Sequence, residues 1–138
     1  MRIPRILVCG GRHFEKTEEN WRWFRDHMER IILERGWVWD DLYQMPAVII
    51  IHGASPAGGI DWMADDYATV NWLETDVYPP KREDIQKWGF PIAAKMRNQR
   101  MLDEGKPELV VCFPGGNGTA DMNERALRAG VEVIEIER

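Results

Sequence analysis

Apolar and polar positions follow two rhythms along the chain, and these lay out its elements. Short aliphatic runs at residues 6–9, 47–51 and 109–113 have the length and branched content of strands. The unbroken run at 47–51 suits a central strand covered on both faces. Residues 76–78 read as a weak, short strand, and the partial alternation at 131–136 suits an edge strand with one wetter face. Between these runs the apolar spacing becomes helical. Trp21, Phe24, Met28, Ile31 and Ile32 share a face of a helix that Thr17 caps, with Glu18 and Glu19 in its first turn and Gly36 at its end. Ile60, Met63, Ala64, Tyr67 and Val70 mark a second helix. Pro91 opens a third, running to Glu104 and stopped by Gly105 and Pro107. The fourth starts at Thr119, as its cap, and runs to Ala129 before Gly130. Two stretches show no rhythm. Residues 37–46 read as a loop that packs at least one tryptophan. Residues 79–91 read as a long polar loop of the sort that forms lids and binding loops.

Strands alternating with helices predict an α/β fold, a parallel sheet with helices on both faces. Right-handed crossovers place all strand-to-helix loops at one edge. With strand order 3-2-1-4-5, the winding reverses between the first and fourth strands, and the crevice of such sheets opens there. The loops at Gly10-Gly11 and at 114–119 are then expected to face each other. A chain of 138 residues without repeats or linkers reads as one domain.

Composition narrows the function classes. The formal charge is −5, with basic residues interspersed among acids. A strong non-specific grip on nucleic acid needs a basic face, so nucleic acid is disfavoured as a partner. No apolar run approaches the roughly 18 residues of a membrane span, and no signal-peptide pattern opens the chain. Cys9 and Cys112 both sit inside apolar runs, which suits a reducing cytoplasm and core thiols without a disulfide framework; their strands are neighbours at comparable heights, so the two can lie close. The three histidines share no metal-ligand spacing with cysteine or acid, so no metal site is expected. Trp62 and Trp72 read as core, with a subunit contact as the alternative.

The chemistry concentrates at the glycine turns. Pro114-Gly115-Gly116-Asn117-Gly118-Thr119 follows a strand and opens a helix, and it holds more glycine than a turn requires. Bare backbone N–H groups and the positive end of a helix dipole suit an anion there. Gly10-Gly11-Arg12 after the first strand offers a second phosphate contact, with Arg12 supplying charge. This turn lacks the full G-x-G-x-x-G pattern, and the second strand ends in His52 where an NAD enzyme carries an acid, which argues against a dinucleotide dehydrogenase. Asp61 reads two ways, as a ribose-hydroxyl ligand or as an acid favoured by a helix start. Ala94, Arg97, Asn98 and Met101 share one helix face that is poor in charge for a solvated surface. Arg97 and Asn98 are therefore expected to point into the crevice, with Arg97 on a phosphate or carboxylate or paired with Asp61 or Asp121.

In order along nearly the whole chain, Val8-Cys9-Gly10-Gly11-Arg12, His52-Gly53, Gly59-Ile60-Asp61 with Ala64, Arg97-Asn98-Gln99-Arg100-Met101 and Pro114-Gly115-Gly116-Asn117-Gly118-Thr119 resemble the YspA-type branch of the SLOG superfamily. The resemblance implies a Rossmann-like three-layer sandwich that binds nucleotide-derived small molecules, in proteins found mainly in bacteria and their phages. It implies ligand contacts at Gly10, Gly11, Arg12, Gly53, Asp61, Arg97, Asn98, Gly115, Gly116, Asn117, Gly118 and Thr119. The ligands in view are ADP-ribose, NAD or a nucleoside monophosphate; no further cofactor is required, and a homodimer is expected by analogy. The related LOG-type phosphoribohydrolases carry Arg-Lys-x-x-Met and Pro-Gly-Gly-x-Gly-Thr-x-x-Glu. Here Asn98 stands in the lysine place and Met122 where the catalytic glutamate would be. Loss of that carboxylate removes a group able to stabilise oxocarbenium-like charge. If the chain hydrolyses an N-glycosidic bond, Arg97 and Asp121 are the candidate catalytic residues, although Asp121 points about 100° away around a helix. Ala94 replaces a glycine usual before the Arg-Asn pair. DprA-type proteins share the superfamily fold, which keeps nucleic-acid binding as a third reading.

Overall fold

The computed structural model describes residues 2–138. Five parallel strands lie in the order β3-β2-β1-β4-β5, the arrangement expected from the alternation of strands and helices. The strands are β1 (Arg5–Cys9), β2 (Ile49–His52), β3 (Thr75–Val77), β4 (Leu109–Cys112) and β5 (Glu132–Glu135). The helices are α1 (Glu18–Glu34), α2 (Ile60–Val70), α3 (Arg82–Trp88), α4 (Phe90–Asp103) and α5 (Asn117–Arg128). No helix among the described residues is long and apolar enough to cross a membrane.

The side-chain alternation of each strand divides the core into two layers. Ile6, Val8, Ile50, Leu109 and Val111 face α1 and α2, where Phe24, Met28, Met63 and Tyr67 are buried against them. Leu7, Cys9, Ile51, Val110 and Cys112 face the other way, onto Met101 and Leu102 of α4 and Met122 and Ala126 of α5. Burying each large aliphatic or aromatic side chain contributes about 1.5–3 kcal/mol, so these two layers, rather than local propensity, hold the helices to the sheet. Thr17 caps α1 as expected, its hydroxyl accepting from the Asn20 N–H at 3.1 Å. Trp37 packs against the first layer, while Trp39 is exposed. The exposed ends of β5, Glu132 and Glu135, give the sheet the wet edge read from its alternation.

Several expectations require correction. Residues 79–91 are not a structureless loop: α3 occupies residues 82–88, and Gly89, with φ of 84°, separates it from α4. None of α3's side chains is buried, so it lacks the apolar rhythm by which the other helices were legible. Helix α5 begins at Asn117, with Gly116 at the cap position and no side-chain cap, and Thr119 lies inside its first turn rather than at its cap. Trp62 and Trp72 are 52% and 91% exposed, not core. Trp62 follows Asp61 on the outer side of α2, where its indole N–H donates to the Ser55 carbonyl at 3.1 Å. Trp72 sits in a left-handed turn just past the helix end. Val70 is likewise exposed, and Ala68 takes its place on the buried face of α2.

Candidate functional site

The loops after β1 and β4 meet, because their parent strands are neighbours and both loops leave the same edge. The Gly11 N–H donates to the Pro114 carbonyl at 2.8 Å, and the Gly11 carbonyl accepts from the Ile60 N–H at 3.1 Å. Three strand-to-helix connections are thus stitched together at the point where the winding reverses. They bound a cavity of about 700 Å³, within the range of small-molecule sites.

One wall carries Gly10, Gly11, Arg12, His13 and Phe14; another carries Pro114, Gly115, Gly116, Asn117, Gly118 and Thr119; α4 closes the third side with Ala94, Lys95, Arg97, Asn98 and Met101. Gly53, Ser55, Asp61 and Cys9 complete the lining deeper in, and Phe90 and Pro91 stand at the start of α4. Arg12 reaches over the Phe90 ring, 5.9 Å from its centroid, so the first wall and α4 approach each other across the mouth. Phe14 is stacked on Trp23 of α1, with centroids 5.3 Å apart, which braces that wall from behind.

The glycines of the lining differ in what surrounds them. A Cβ on Gly10 would come within 2.6 Å of the Ile60 side chain, and one on Gly11 within 3.0 Å of the Pro114 carbonyl. A Cβ on Gly53 would overlap the Arg97 guanidinium, and one on Gly115 would overlap the Thr119 hydroxyl. At Gly116 and Gly118, by contrast, a Cβ would meet nothing within 4 Å. Internal packing accounts for the first four and not for these two, which lie at the start of α5. Gly116 supplies no side-chain cap, so the first N–H groups of α5 point outward without a side-chain acceptor, at the positive end of its dipole.

Arg97, Asn98 and Asp121 are placed differently. Arg97 sends Nη1 to the Gly53 carbonyl and, at 3.3 Å, to the Tyr78 carbonyl, and its Nε to Asn98 Oδ1 at 3.1 Å. Burial holds its pKa below the ordinary value, against the attraction of Asp61. Asn98 is buried, and its amide donates to the Gly118 carbonyl at 3.2 Å and to Asp121 Oδ2 at 3.0 Å, tying α4 to the start of α5. Asp121 is not in the cavity lining; the same Oδ2 also accepts from Arg125 Nε at 2.8 Å. Met122 is fully buried in the layer beneath.

Asp61 is the carboxylate of the lining. It is 8% exposed and accepts from the Ser55 N–H at 2.9 Å. Burial raises its pKa, opposed by the Ser55 N–H, Arg97 and His52 in that order. His52 itself lines a second, smaller cavity with Ala54, Trp62 and Asp65. Its Nδ1 accepts from the Ala54 N–H at 3.1 Å, which leaves Nε2 to donate to Asp65 at 2.9 Å. The main cavity therefore gathers Arg12, Lys95 and Arg97 against Asp61, a lining charge of +2, in a chain whose formal charge is −5.

Ser55, Lys95 and the Phe90-Pro91 step also line the cavity without having been singled out in the sequence. Lys95 lies four residues after Pro91 and three before Asn98, so helical spacing carried its signal. Phe90 was hidden at the end of a segment read as loop, and Pro91 was read only as a helix start.

No protein-family model matches the sequence, and comparison with curated proteins finds no match. Solved structures share its fold. DNA processing protein A (DprA) from Streptococcus pneumoniae superposes with a TM-score of 0.66 at 17% identity, over 99% of this chain and 51% of that one. The Moco carrier protein from Chlamydomonas reinhardtii gives 0.62 at 20% identity, over 98% of this chain and 76% of that one. UDP-GlcNAc 2-epimerase from Neisseria meningitidis, solved with UDP-GlcNAc bound, gives 0.53 at 15% identity, over 98% of this chain and 32% of that one. The chain thus spans about half the length of the DprA structure. These likenesses show a Rossmann-like α/β fold.

Proposed function

We propose that the protein binds a nucleotide-derived small molecule in the cleft between the two glycine turns, in the manner implied by its resemblance to the YspA-type branch. The carrying observation is the open, uncapped start of α5: Gly116 and Gly118 have free space where packing does not require glycine, and they face a cavity with a net positive lining. A phosphate fits this position by charge, by dipole and by donor geometry. Arg12 and Lys95 add charge at the mouth. Arg97 braces the loop after β2 and adds positive potential deeper in. Asp61, behind them, is the acceptor for ribose hydroxyls.

The hydrolase reading has less support. Asp121 is engaged by Asn98 and Arg125, and the position of the family's glutamate is filled by a buried methionine. Nucleic-acid binding has against it the acidic balance of the chain. A homodimer, with exposed Trp62 and Trp72 as contact candidates, is proposed alongside and is tested by light scattering.

A thermal-shift panel of ADP-ribose, NAD, AMP and cyclic nucleotides tests the ligand reading. A ligand present at a hundred times its dissociation constant stabilises the fold by about 2.7 kcal/mol. Absence of a shift from every member, in folded protein, overturns it.

A further inference from the structure

Cys9 ends β1 and Cys112 ends β4, and the two are register partners on adjacent parallel strands. Their sulfurs are 3.3 Å apart. Both belong to the layer beneath α4 and α5, and Cys9 also reaches the cavity, where it forms part of the floor. Among the described residues no third histidine, cysteine or acid joins them in a metal-binding group, so the donor set does not suit a tetrahedral ion such as zinc. The backbone suits a direct bond. Neighbouring strands lie about 4.8 Å apart, inside the roughly 4.4–6.8 Å range of Cα separations that disulfides span.

We propose that Cys9 and Cys112 form a redox-active dithiol at the floor of the cleft, which a hydroperoxide converts to an intramolecular disulfide joining β1 to β4. Cys9 reacts first, because it is the one that meets the cavity. Its thiolate attacks one oxygen of hydrogen peroxide, the O–O bond breaks, and hydroxide leaves to take up a proton. The Cys9 sulfur, oxidised by two electrons, is then a sulfenic acid. The Cys112 sulfur attacks it, the S–O bond breaks, and water leaves with the Cys112 proton. Two thiols and one hydroperoxide become one disulfide and two waters. An added dithiol reductant reverses the change. The residues directly after the two cysteines are the facing turns, Gly10-Gly11 and Phe113-Pro114-Gly115, so the bond fixes the base of the cleft. Resting thiols with a transient disulfide are the form such chemistry takes in a reducing compartment.

The surroundings set its pH dependence. The hydrogen bond with Cys112, then burial, then Asp61 on α2 hold the Cys9 thiol above its ordinary pKa, and Arg97 on α4 opposes them. From α5 the neighbours in this layer are the apolar Met122 and Ala126. Below that pKa the thiolate fraction, and with it the first step, grows about tenfold per pH unit.

The test uses reduced full-length protein, hydrogen peroxide, thiol titration, intact mass and peptide mapping. The expected result is that both thiols disappear together, the mass falls by two hydrogens, and a peptide containing Cys9 is linked to one containing Cys112. In Cys112→Ser, Cys9 instead gains one oxygen and is trapped by a sulfenic-acid reagent. The chain has two cysteines, so the wild-type map decides the matter even if the variant does not fold. Both thiols still titrating after exposure, oxygen added at each without a link, or a link between two chains would each overturn the proposal. This measurement needs no nucleotide and the thermal-shift panel needs no oxidant, so either can fail without the other.

Discussion

The two glycine turns of the cleft look alike in sequence and differ in cause. In the first, Gly10 and Gly11 are hemmed in by Ile60, Phe113 and the Pro114 carbonyl. These contacts let three loops close over the sheet edge, and glycine is needed there whether or not a ligand binds. In the second, Gly115 is packed in the same way, but Gly116 and Gly118 are surrounded by open space. Packing therefore does not account for glycine at the start of α5, where the anion of the proposed ligand would lie. The packed turn builds the cleft, and the open turn is where the proposed phosphate would lie.

Valine substitutions break this contrast most directly. Gly10→Val forces branched atoms into Ile60 and Phe113, and overpacking of this kind costs about 1–3 kcal/mol. Gly118→Val meets no neighbour and should stay within about 0.5 kcal/mol of wild type. Urea denaturation of both variants measures the difference. Equal costs would mean that the open turn is packed as tightly as the first.

Gly118→Asp sharpens the contrast from the ligand's side. A carboxylate in the first turn of α5 stabilises the helix by about 0.3–1 kcal/mol through its dipole. The same charge stands where the phosphate is proposed to lie, so affinity for any phosphorylated ligand found in the thermal-shift panel should fall at least about tenfold, or roughly 1.4 kcal/mol. Higher stability together with unchanged affinity would remove the phosphate from this turn.

The cleft and its two facing turns were legible in the sequence, for a physical reason. Strands buried on both faces need unbroken aliphatic runs, so β1, β2 and β4 announced themselves, and their order brought the two turns together. The face of α4 was legible too: Ala94, Arg97, Asn98 and Met101 all line the cavity. What escaped was whatever burial does not mark. Helix α3 has no buried side chain, and its remaining signal is the placement of Glu83 and Asp84 in its first turn and Lys87 in its last. The sequence also did not separate packed glycines from open ones, since that depends on Ile60 and Thr119 arriving from other elements. The Arg-Asn pair was read as pointing into the crevice, with Arg97 on an anion or in an intramolecular pair, and both residues line the cavity. The hydrogen bonds of Asn98 to Gly118 and Asp121, and of Arg97 to the carbonyls of Gly53 and Tyr78, depend on elements the sequence does not bring together.

The smallest effect comes from Asp61, at the back of the packed wall, and it tests whether that wall also faces a ligand. Burial raises its carboxyl pKa in the fold, more than the Ser55 N–H and Arg97 lower it. The folded chain then binds this proton more tightly than the unfolded chain. Its contribution to stability is fully present below the ordinary carboxylate range and is lost as pH rises through the raised value. Asp61→Asn keeps an acceptor for the Ser55 N–H and removes the titration. Stability of wild type minus that of Asp61→Asn, followed by denaturation across acid to neutral pH, should therefore decline through that window and then level off. The opposite slope would show that attraction to Arg97 outweighs burial. Asp61 would then be the partner of a structural ion pair, committed to holding the loops, and the ribose contact would have to be sought elsewhere in the cleft.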